Sequence, residues 1–297
     1  MGRVLGAQAA MEYLMTYGWA ILIIAIVLVA FFSLNLFNPY TFAPKASPGS
    51  CQILRPNGPG SNIFVSAVGP TCTTNEIPQY VAQFNGQAGS NVTLPDISNP
   101  GINISISLWW NPSLTNNYYG AVALHNNGGY GLELLMSPGS SNPTFYARID
   151  TPTSSGYVCP ASTVLSKNHW YFVAATVTTT GSNILYQCFV NAVPGPIAGA
   201  SGLLPTSYTN NRIGTTLYGL PWPGMVTNVQ IYNTSLSQSE VTALYQEGIG
   251  GAPTNIQNLV GWWPLNGNSN DYSGNGNNGV PTNVIFTSNW ENGYTTP

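Results

Sequence analysis

Charge is the property that this sequence has least of. Only 5% of its 297 residues are charged, whereas an ordinary soluble domain carries about 25%. Lys and Arg number 6 against 9 Asp and Glu, which gives a net charge of -3. Because the chain has no basic surface to attract phosphate backbones, we predict no nucleic-acid partner.

Acid–base side chains are also scarce, since only 2 His accompany the 9 carboxylates. Retaining glycoside cleavage needs two carboxyl groups about 5–5.5 Å apart, and no predicted strand carries an alternating pair of them. Glu133 stands alone in its strand, and Arg148 with Asp150 is interpreted as a surface ion pair. We predict that His125 and His169 have no nearby Cys or acidic partner. The sequence therefore predicts that the protein is not an enzyme, with a glycan hydrolase using Glu133 as the rival.

The cysteines number 4 and form no CxxC motif. Outside a membrane this favours two disulfides over a zinc site, and the sequence alone permits three pairings. We favour Cys51–Cys72 and Cys159–Cys188, because each closes a loop of about 20–30 residues and would stabilise the fold by about 3–4 kcal/mol. Free buried thiols remain the alternative.

A long apolar run lies near the N-terminus. Residues 13–44 contain no charge, and Trp19–Phe32 is almost wholly apolar. Since about 20 helical residues cross a hydrocarbon core of roughly 30 Å, the run predicts one spanning helix. In a secretory signal peptide, the small-residue cleavage site follows the apolar run. Here the small residues Gly6 and Ala7 precede it.

This order has a consequence for the mature chain. A cut between Ala7 and Gln8 would leave the helix on the protein, with Glu12 close to the new amino terminus. Glu12 could pair with the terminal ammonium of a neighbouring subunit and thereby set the register of packed helices. The alternative is a simple anchor in which Glu12 reaches the lipid headgroups.

Residues 5–21 (LGAQAAMEYLMTYGWAI) resemble the class III signal peptide of archaeal type IV pilin-like proteins. The resemblance implies cleavage before Gln8, a retained helix that assembles into a filament core, and a role for Glu12 as the acidic residue of the family. It also implies a place at the cell surface, either anchored in the cytoplasmic membrane or assembled into a pilus.

Further along, short apolar runs alternate with turn residues. Ile102–Trp109 alternates apolar and polar residues and predicts a half-buried strand. Further strands are predicted at Tyr119–Leu124, Gly131–Met136, Thr144–Ile149, Trp170–Thr178, Ile184–Val190 and Met225–Tyr232. Runs of this length and spacing predict an antiparallel β-sandwich. One short surface helix is predicted at Ser237–Glu247, with Ser237 and Glu240 as a capping box.

Several of these segments resemble a LamG-like domain: Tyr80–Gly86, Ile104–Trp109, His169–Ala174 and Gly224–Tyr232. The resemblance implies a concanavalin A-type jelly roll over roughly residues 78–290. Residues 259–267 and 270–279 are similar to the segment that usually opens such a domain. We therefore predict a permuted order in which residues 259–265 form a strand of the same sandwich, or are donated to a neighbouring subunit.

These features divide the chain into segments and predict a mainly β fold behind an N-terminal hydrophobic helix. The predicted segments are a signal peptide at 1–7, the helix at 8–38, a linker at 39–50, a disulfide-bracketed segment at 51–77 and the jelly roll at 78–297.

Aromatic and amide side chains could form a carbohydrate site, with rings to contact sugar faces and amides to bond hydroxyl groups. We select Trp110, Asn116, Asn117 and Tyr118 as an exposed platform. The alternative is that most of the aromatic residues belong to the core, because strand alternation buries one of each adjacent pair.

No cofactor is predicted, with structural calcium at Asp271 as the alternative, because the surrounding loop is rich in oxygen side chains. Glycosylation acceptor motifs occur at Asn91, Asn103 and Asn233.

The sequence as a whole predicts an archaeal pilin-like surface subunit with a lectin-like head for adhesion or for a filament coat. Its partners would be copies of itself through the N-terminal helix, the membrane before assembly, and surface glycans. The alternative is a membrane-anchored lectin that does not polymerise.

Overall fold

The computed structural model describes Trp19 and residues 21–27, 53–54, 65–66, 78–98, 102–138, 143–158 and 163–297. The chain divides into two compact units, Met1–Cys51 with Ala67–Thr71, and Gln52–Ser66 with Cys72–Pro297. In the first unit, Trp19 and residues 21–27 are helical. None of the helices described is both long enough and apolar enough to cross a membrane. The predicted signal peptide, the predicted linker and most of the predicted helix at 8–38 lie outside the described residues, as do Ala7, Gln8 and Glu12.

The second unit is an antiparallel β-sandwich of two large sheets, which confirms the predicted fold class for this part of the chain. The front sheet has seven strands in the order β10 (Ser155–Val158), β9 (Thr144–Asp150), β8 (Gly131–Ser137), β7 (Tyr119–His125), β16 (Asn210–Ile213), β4 (Asn91–Leu94) and β19 (Val280–Thr282).

The back sheet has nine strands. Its main order is β13 (Val193–Pro194), β12 (Asn183–Val190), β11 (Tyr171–Thr180), β6 (Ile104–Pro112), β17 (Pro223–Tyr232), β3 (Val81–Asn85) and β20 (Val284–Thr287). In addition, β14 (Ala198–Ser201) pairs with β12, and β18 (Leu259–Trp263) pairs with β17. Two small pairs complete the strands: β1 (Ile53–Leu54) with β2 (Val65–Ser66), and β5 (Ile97–Ser98) with β15 (Ser207–Tyr208).

Strand β6 shows how the sequence builds two cores. Ile104, Ile106, Leu108 and Trp110 belong to the main core between the sheets. Trp109 faces the other way, into a second core that includes residues of the surface helix. The predicted strand is present, but all nine residues of β6 are buried. The prediction that this strand is half-buried is therefore wrong, because other residues cover the outer face of the back sheet.

The covering element is the helix Gln238–Gln246, which confirms the helix predicted at this place. Ser237 caps it and forms a capping box with Glu240. Val241 and Leu244 are its buried residues and pack in the second core. A short 3-10 turn, Ile256–Asn258, then leads into β18.

The last strands belong to the sandwich of their own chain. Strand β18 occupies Leu259–Trp263, within the predicted 259–265, and pairs with β17. Strand β19 pairs with β4 in the front sheet, and β20 pairs with β3 in the back sheet. Trp263 is fully buried in the main core. The C-terminal residues thus supply strands and core to both sheets.

Candidate functional site

A cluster of ionisable side chains lies on the outer face of the front sheet. Leu124 and Leu132 point into the main core, so the alternating residues His125, Glu133 and Asp150 lie on the opposite face. His125 and Asp150 are both in register with Gly131, which separates them on the middle strand. A Cβ atom at Gly131 would overlap the carbonyl oxygen of Leu124. A glycine is therefore required where the two side chains converge.

We call His125, Glu133, Arg148 and Asp150 the charged cluster. The two ring nitrogens of His125 each lie 3.8 Å from a carboxylate oxygen, Nδ1 from Glu133 and Nε2 from Asp150. Nε of Arg148 lies 2.8 Å from Oδ2 of Asp150, and the Ser155 hydroxyl donates to Oδ1 of Asp150. The side chains of His125 and Glu133 are 0% exposed. The cluster is thus an ionic group held inside the protein.

Residues 215–220, the covering loop, lie over this cluster. The Leu217 amide N–H donates to Oε1 of Glu133 over 2.8 Å. The Tyr218 hydroxyl lies 3.5 Å from Oδ2 of Asp150. The Arg148 guanidinium lies 4.1 Å from the centroid of the Tyr218 ring, a cation–π contact. The Tyr218 ring also meets the His125 ring edge-on, with centroids 6.5 Å apart. The loop therefore contacts all four members of the cluster.

The two carboxyl groups are shifted in opposite directions. Burial raises the pKa of Glu133, and the neighbouring His125 and the Leu217 N–H only partly offset this. Burial alone would also raise the pKa of Asp150, but the nearby His125 ring and the hydrogen bonds from Arg148 and Ser155 outweigh it and hold that pKa well below its usual value. Asp150 therefore carries the stable negative charge of the cluster.

Opposed pKa shifts are a property of acid–base pairs in glycosidases. Here, however, Glu133 is fully buried and its Oε1 is occupied by a backbone N–H. A substrate cannot reach it while the covering loop is in this position. Within the part of the chain that the structure describes, no group of three or more His, Cys, Asp or Glu side chains could hold a metal ion.

The charged cluster corrects the sequence interpretation. His125 has two acidic neighbours, so the prediction that it lacks one is wrong. Arg148 and Asp150 do form an ion pair, but Asp150 is 3% exposed, so the pair is not a surface one. The three strands involved were all predicted. The missing information was their register, which decides which outward residues meet.

The structure does not place all four residues of the predicted sugar platform on one exposed surface. Trp110 is 0% exposed and stacks on Trp222 in the core, with ring centroids 4.6 Å apart, so it cannot offer a face to a ligand. Its inward position follows from the alternation of β6, in which Trp109 takes the other face. Asn116, Asn117 and Tyr118 are exposed, and together with residues 113–115 they form the Asn loop between β6 and β7.

The Asn loop has a defined internal structure. The Tyr119 hydroxyl donates to the side-chain oxygen of Asn116 over 2.8 Å, and the Tyr118 N–H donates to the side-chain oxygen of Asn117 over 2.8 Å. Tyr118 is 37% exposed. Immediately after this loop, the Gly120 N–H donates to the Leu220 carbonyl. The Asn loop and the covering loop are therefore neighbours.

Asp271 organises the C-terminal loop. Its carboxylate accepts hydrogen bonds from the backbone N–H groups of Trp262, Ser273 and Asn277 and from the Ser273 hydroxyl. These donors occupy both oxygens, which gives Asp271 a structural role. Calcium binding there stays a prediction.

The glycosylation motifs differ in accessibility. Asn233 is exposed, whereas the side-chain oxygens of Asn91 and Asn103 accept hydrogen bonds from Thr93 and Thr179. Use of any of the three stays a prediction.

The cysteine pairing is only partly within the described residues. Cys188 is fully buried in β12 and is disulfide-bonded. Cys51, Cys72 and Cys159 lie outside the described residues, so the pairings Cys51–Cys72 and Cys159–Cys188 stay predictions.

Comparison with known proteins agrees with the two-sheet architecture. The family described as the concanavalin A-like lectin/glucanases superfamily matches residues 85–242. A heptameric SAP-like pentraxin from Limulus polyphemus is similar in structure, with a TM-score of 0.51 at 13% identity over 71% of this chain and 96% of its own.

Two further solved structures are similar at lower scores. A putative carbohydrate binding protein from Bacteroides ovatus has a TM-score of 0.48 at 16% identity, over 70% of this chain and 60% of its own. The CBM40 of a Ruminococcus gnavus IT-sialidase, bound to alpha2,3 sialyllactose, has a TM-score of 0.41 at 15% identity, over 56% of this chain and 98% of its own. No curated protein matches the sequence.

Proposed function

Because the chain belongs to the concanavalin A-like lectin/glucanases superfamily, we propose that its β-sandwich is a carbohydrate-binding head displayed at a cell surface, with no catalytic activity. The fold is compatible with either binding or hydrolysis, so the site must decide between them. Asp150 is bonded to Arg148 and Ser155 of the sheet itself, so no second carboxylate beside Glu133 is available as a nucleophile or base, and this favours binding over hydrolysis.

The observation that carries this proposal is the exposed Asn loop beside the outer face of the front sheet. Tyr118 offers an aromatic ring to a sugar face, and Asn116 and Asn117 offer amide groups to its hydroxyls. Because the Tyr119 hydroxyl occupies the side-chain oxygen of Asn116, the NH₂ group of Asn116 is the part that would donate to a sugar. Rings and amides on a preorganised loop are suited to a neutral, hydroxyl-rich ligand.

Replacing Tyr118 by Ala is expected to weaken glycan binding about tenfold or more, because an exposed aromatic ring is the type of residue that carries most of a binding energy. Asn116→Ala should weaken it about fivefold, the effect of one lost hydrogen bond. Affinities would be measured with full-length protein in detergent on a glycan array and then by calorimetry. Asn289→Ala, at an exposed asparagine elsewhere, is the matched control and should bind like the wild type. Equal binding by Tyr118→Ala would refute this location.

The N-terminal segment extends the proposal to anchoring. The resemblance of residues 5–21 to archaeal pilin-like proteins supports a helix that is retained after cleavage before Gln8. Such helices would bundle into a filament core, with Glu12 setting their register, and would carry the heads outward for adhesion or as a coat. In the alternative, one helix anchors one lectin in the cytoplasmic membrane and no filament forms.

We expect mass spectrometry of protein purified from its native membranes to find a mature chain that starts at Gln8. Electron microscopy of that material should show filaments with a helical core. Monodisperse detergent particles with the same N-terminus would favour the anchored lectin. A mature chain that begins near Pro39 would contradict both versions, since the helix would then be lost.

A further inference from the structure

The charged cluster contains polar atoms that the closed structure leaves without partners. Among the described residues, Nδ1 and Nε2 of His125 and Oε2 of Glu133 are buried and make no hydrogen bond. An unsatisfied buried polar atom costs about 1–3 kcal/mol. Three such atoms close together suggest a site that lacks the hydrogen-bonding groups of a ligand.

The covering loop is closed at its base, bonded within itself, and joined to β7 by the bond from the Gly120 N–H to the Leu220 carbonyl. Its neck is closed by a hydrogen bond from the Trp222 N–H to the Gly214 carbonyl, over 2.8 Å. Inside the loop, Gly219 and Leu220 both donate to Thr216. Gly214, which precedes the loop, and Gly219, within it, have φ angles of 90° and 72°, which glycine adopts without strain.

At its tip, the covering loop bonds to acceptors that a ligand could also use. The Leu217 N–H donates to Oε1 of Glu133, and the Tyr218 hydroxyl donates to Oδ2 of Asp150. Carboxylates only accept hydrogen bonds, so whatever replaces these two groups must donate. The hydroxyl groups of a sugar are donors of this kind, whereas an ionised carboxylate or sulfate group has no hydrogen to donate.

We infer that the covering loop is a lid over a second part of the glycan site, and that a neutral, hydroxyl-rich glycan bound at the Asn loop displaces Leu217 and Tyr218 from the two carboxylates. The inference rests on the proposed function, because it extends that site from the Asn loop onto the front sheet. The lid then competes with the glycan. Apparent affinity is reduced by the fraction of molecules in which the lid is open.

Hydrogen exchange of the ligand-free, full-length protein tests the lid itself. If the loop opens separately, the Leu217 amide should exchange at least about tenfold faster than the amide of Ala123 in β7, which reports opening of the sheet. Equal rates would mean that the loop opens only when the sheet unfolds, and would overturn the inference without reference to any glycan.

Binding tests the competition. Leu217→Pro removes the N–H that bonds to Glu133, and should raise the affinity for mannohexaose, maltohexaose or cellohexaose, whichever binds best, about tenfold. The control Leu203→Pro, in the loop after β14, should stay within about twofold of the wild type. Unchanged or weaker binding by a folded Leu217→Pro protein would overturn the inference. If this variant does not fold, exchange of the wild-type Leu217 amide must instead accelerate on saturation with the hexasaccharide.

The outcomes separate the two proposals. If Tyr118→Ala abolishes hexasaccharide binding but Leu217→Pro does not alter it, the lid is wrong and the proposed function stands. If no hexasaccharide binds to the wild type or to Leu217→Pro, both proposals fail. Tighter binding of hexagalacturonate than of any neutral hexasaccharide would overturn the ligand class.

Discussion

A chain truncated after Gly250 is expected to lose the folded sandwich. The truncation removes β18 and β20 from the back sheet and β19 from the front sheet. It also removes Trp263 from the main core and Trp290 from the second core. Loss of a buried Trp side chain costs about 3–5 kcal/mol, and the whole stability of a domain is about 5–15 kcal/mol. Two such losses together with three strands exceed what the remaining contacts can offset.

Near-ultraviolet circular dichroism and size-exclusion chromatography of the purified proteins would measure this effect. The matched control ends at Tyr294 and removes only residues 295–297, which are exposed. It should retain the wild-type spectrum and melting temperature. A folded, monomeric head from the Gly250 truncation would show that the C-terminal strands are dispensable. It would also refute the strand assignment within the same chain.

Asp150→Ala should destabilise the head by about 3–5 kcal/mol, the usual effect of removing one partner of a buried ion pair. The change leaves Arg148, Ser155 and the ring of His125 facing an empty position. Equilibrium unfolding in urea would measure it. Asp96→Ala, at an exposed carboxylate, is the control and should change stability by less than about 0.5 kcal/mol. Equal effects of the two substitutions would show that the charged cluster contributes nothing to stability.

The two carboxylates of the charged cluster should make the free energy of unfolding depend on pH in opposite directions. The pKa of Asp150 is lowered by folding, so its stabilisation is complete above its unfolded value of about 3.9 and is lost as pH falls through the folded value. The advantage of the wild type over Asp150→Asn should therefore shrink between about pH 5 and pH 2. The pKa of Glu133 is raised by folding, so the wild type should lose stability relative to Glu133→Gln as pH rises above about 4.3. A constant difference across the whole range would contradict both shifts.

Local sequence patterns were sufficient for the elements but not for their contacts. Alternation in Ile102–Trp109 predicted β6, and Ser237 with Glu240 predicted the start of the helix, because both signals depend on neighbouring residues alone. Extended by one residue, the same alternation places Trp110 with Leu108 toward the main core, but it did not reveal that Trp109 packs into a second core on the other face. It also did not reveal that the outer face of the back sheet is covered. Those facts depend on which elements pack against each face.

The charged cluster shows most clearly what local sequence patterns cannot predict. Its members come from three predicted strands, but they meet only because β7, β8 and β9 pair in one particular register, with Gly131 between His125 and Asp150. A shift of one residue would send these side chains to the opposite face. The covering loop comes from still further along the chain, 84 residues from Glu133 at the Leu217 hydrogen bond.

The sequence by itself determined a β-rich head with few charges and the positions of its main strands and of its capped helix, since turn residues, periodicity and capping groups act over a few residues. Only the tertiary structure decided that four ionisable residues from three strands share one site, that a loop covers it, and that Trp109 packs in a second core while Tyr118 is exposed. These are products of strand register and sheet packing, which join residues that no local pattern connects.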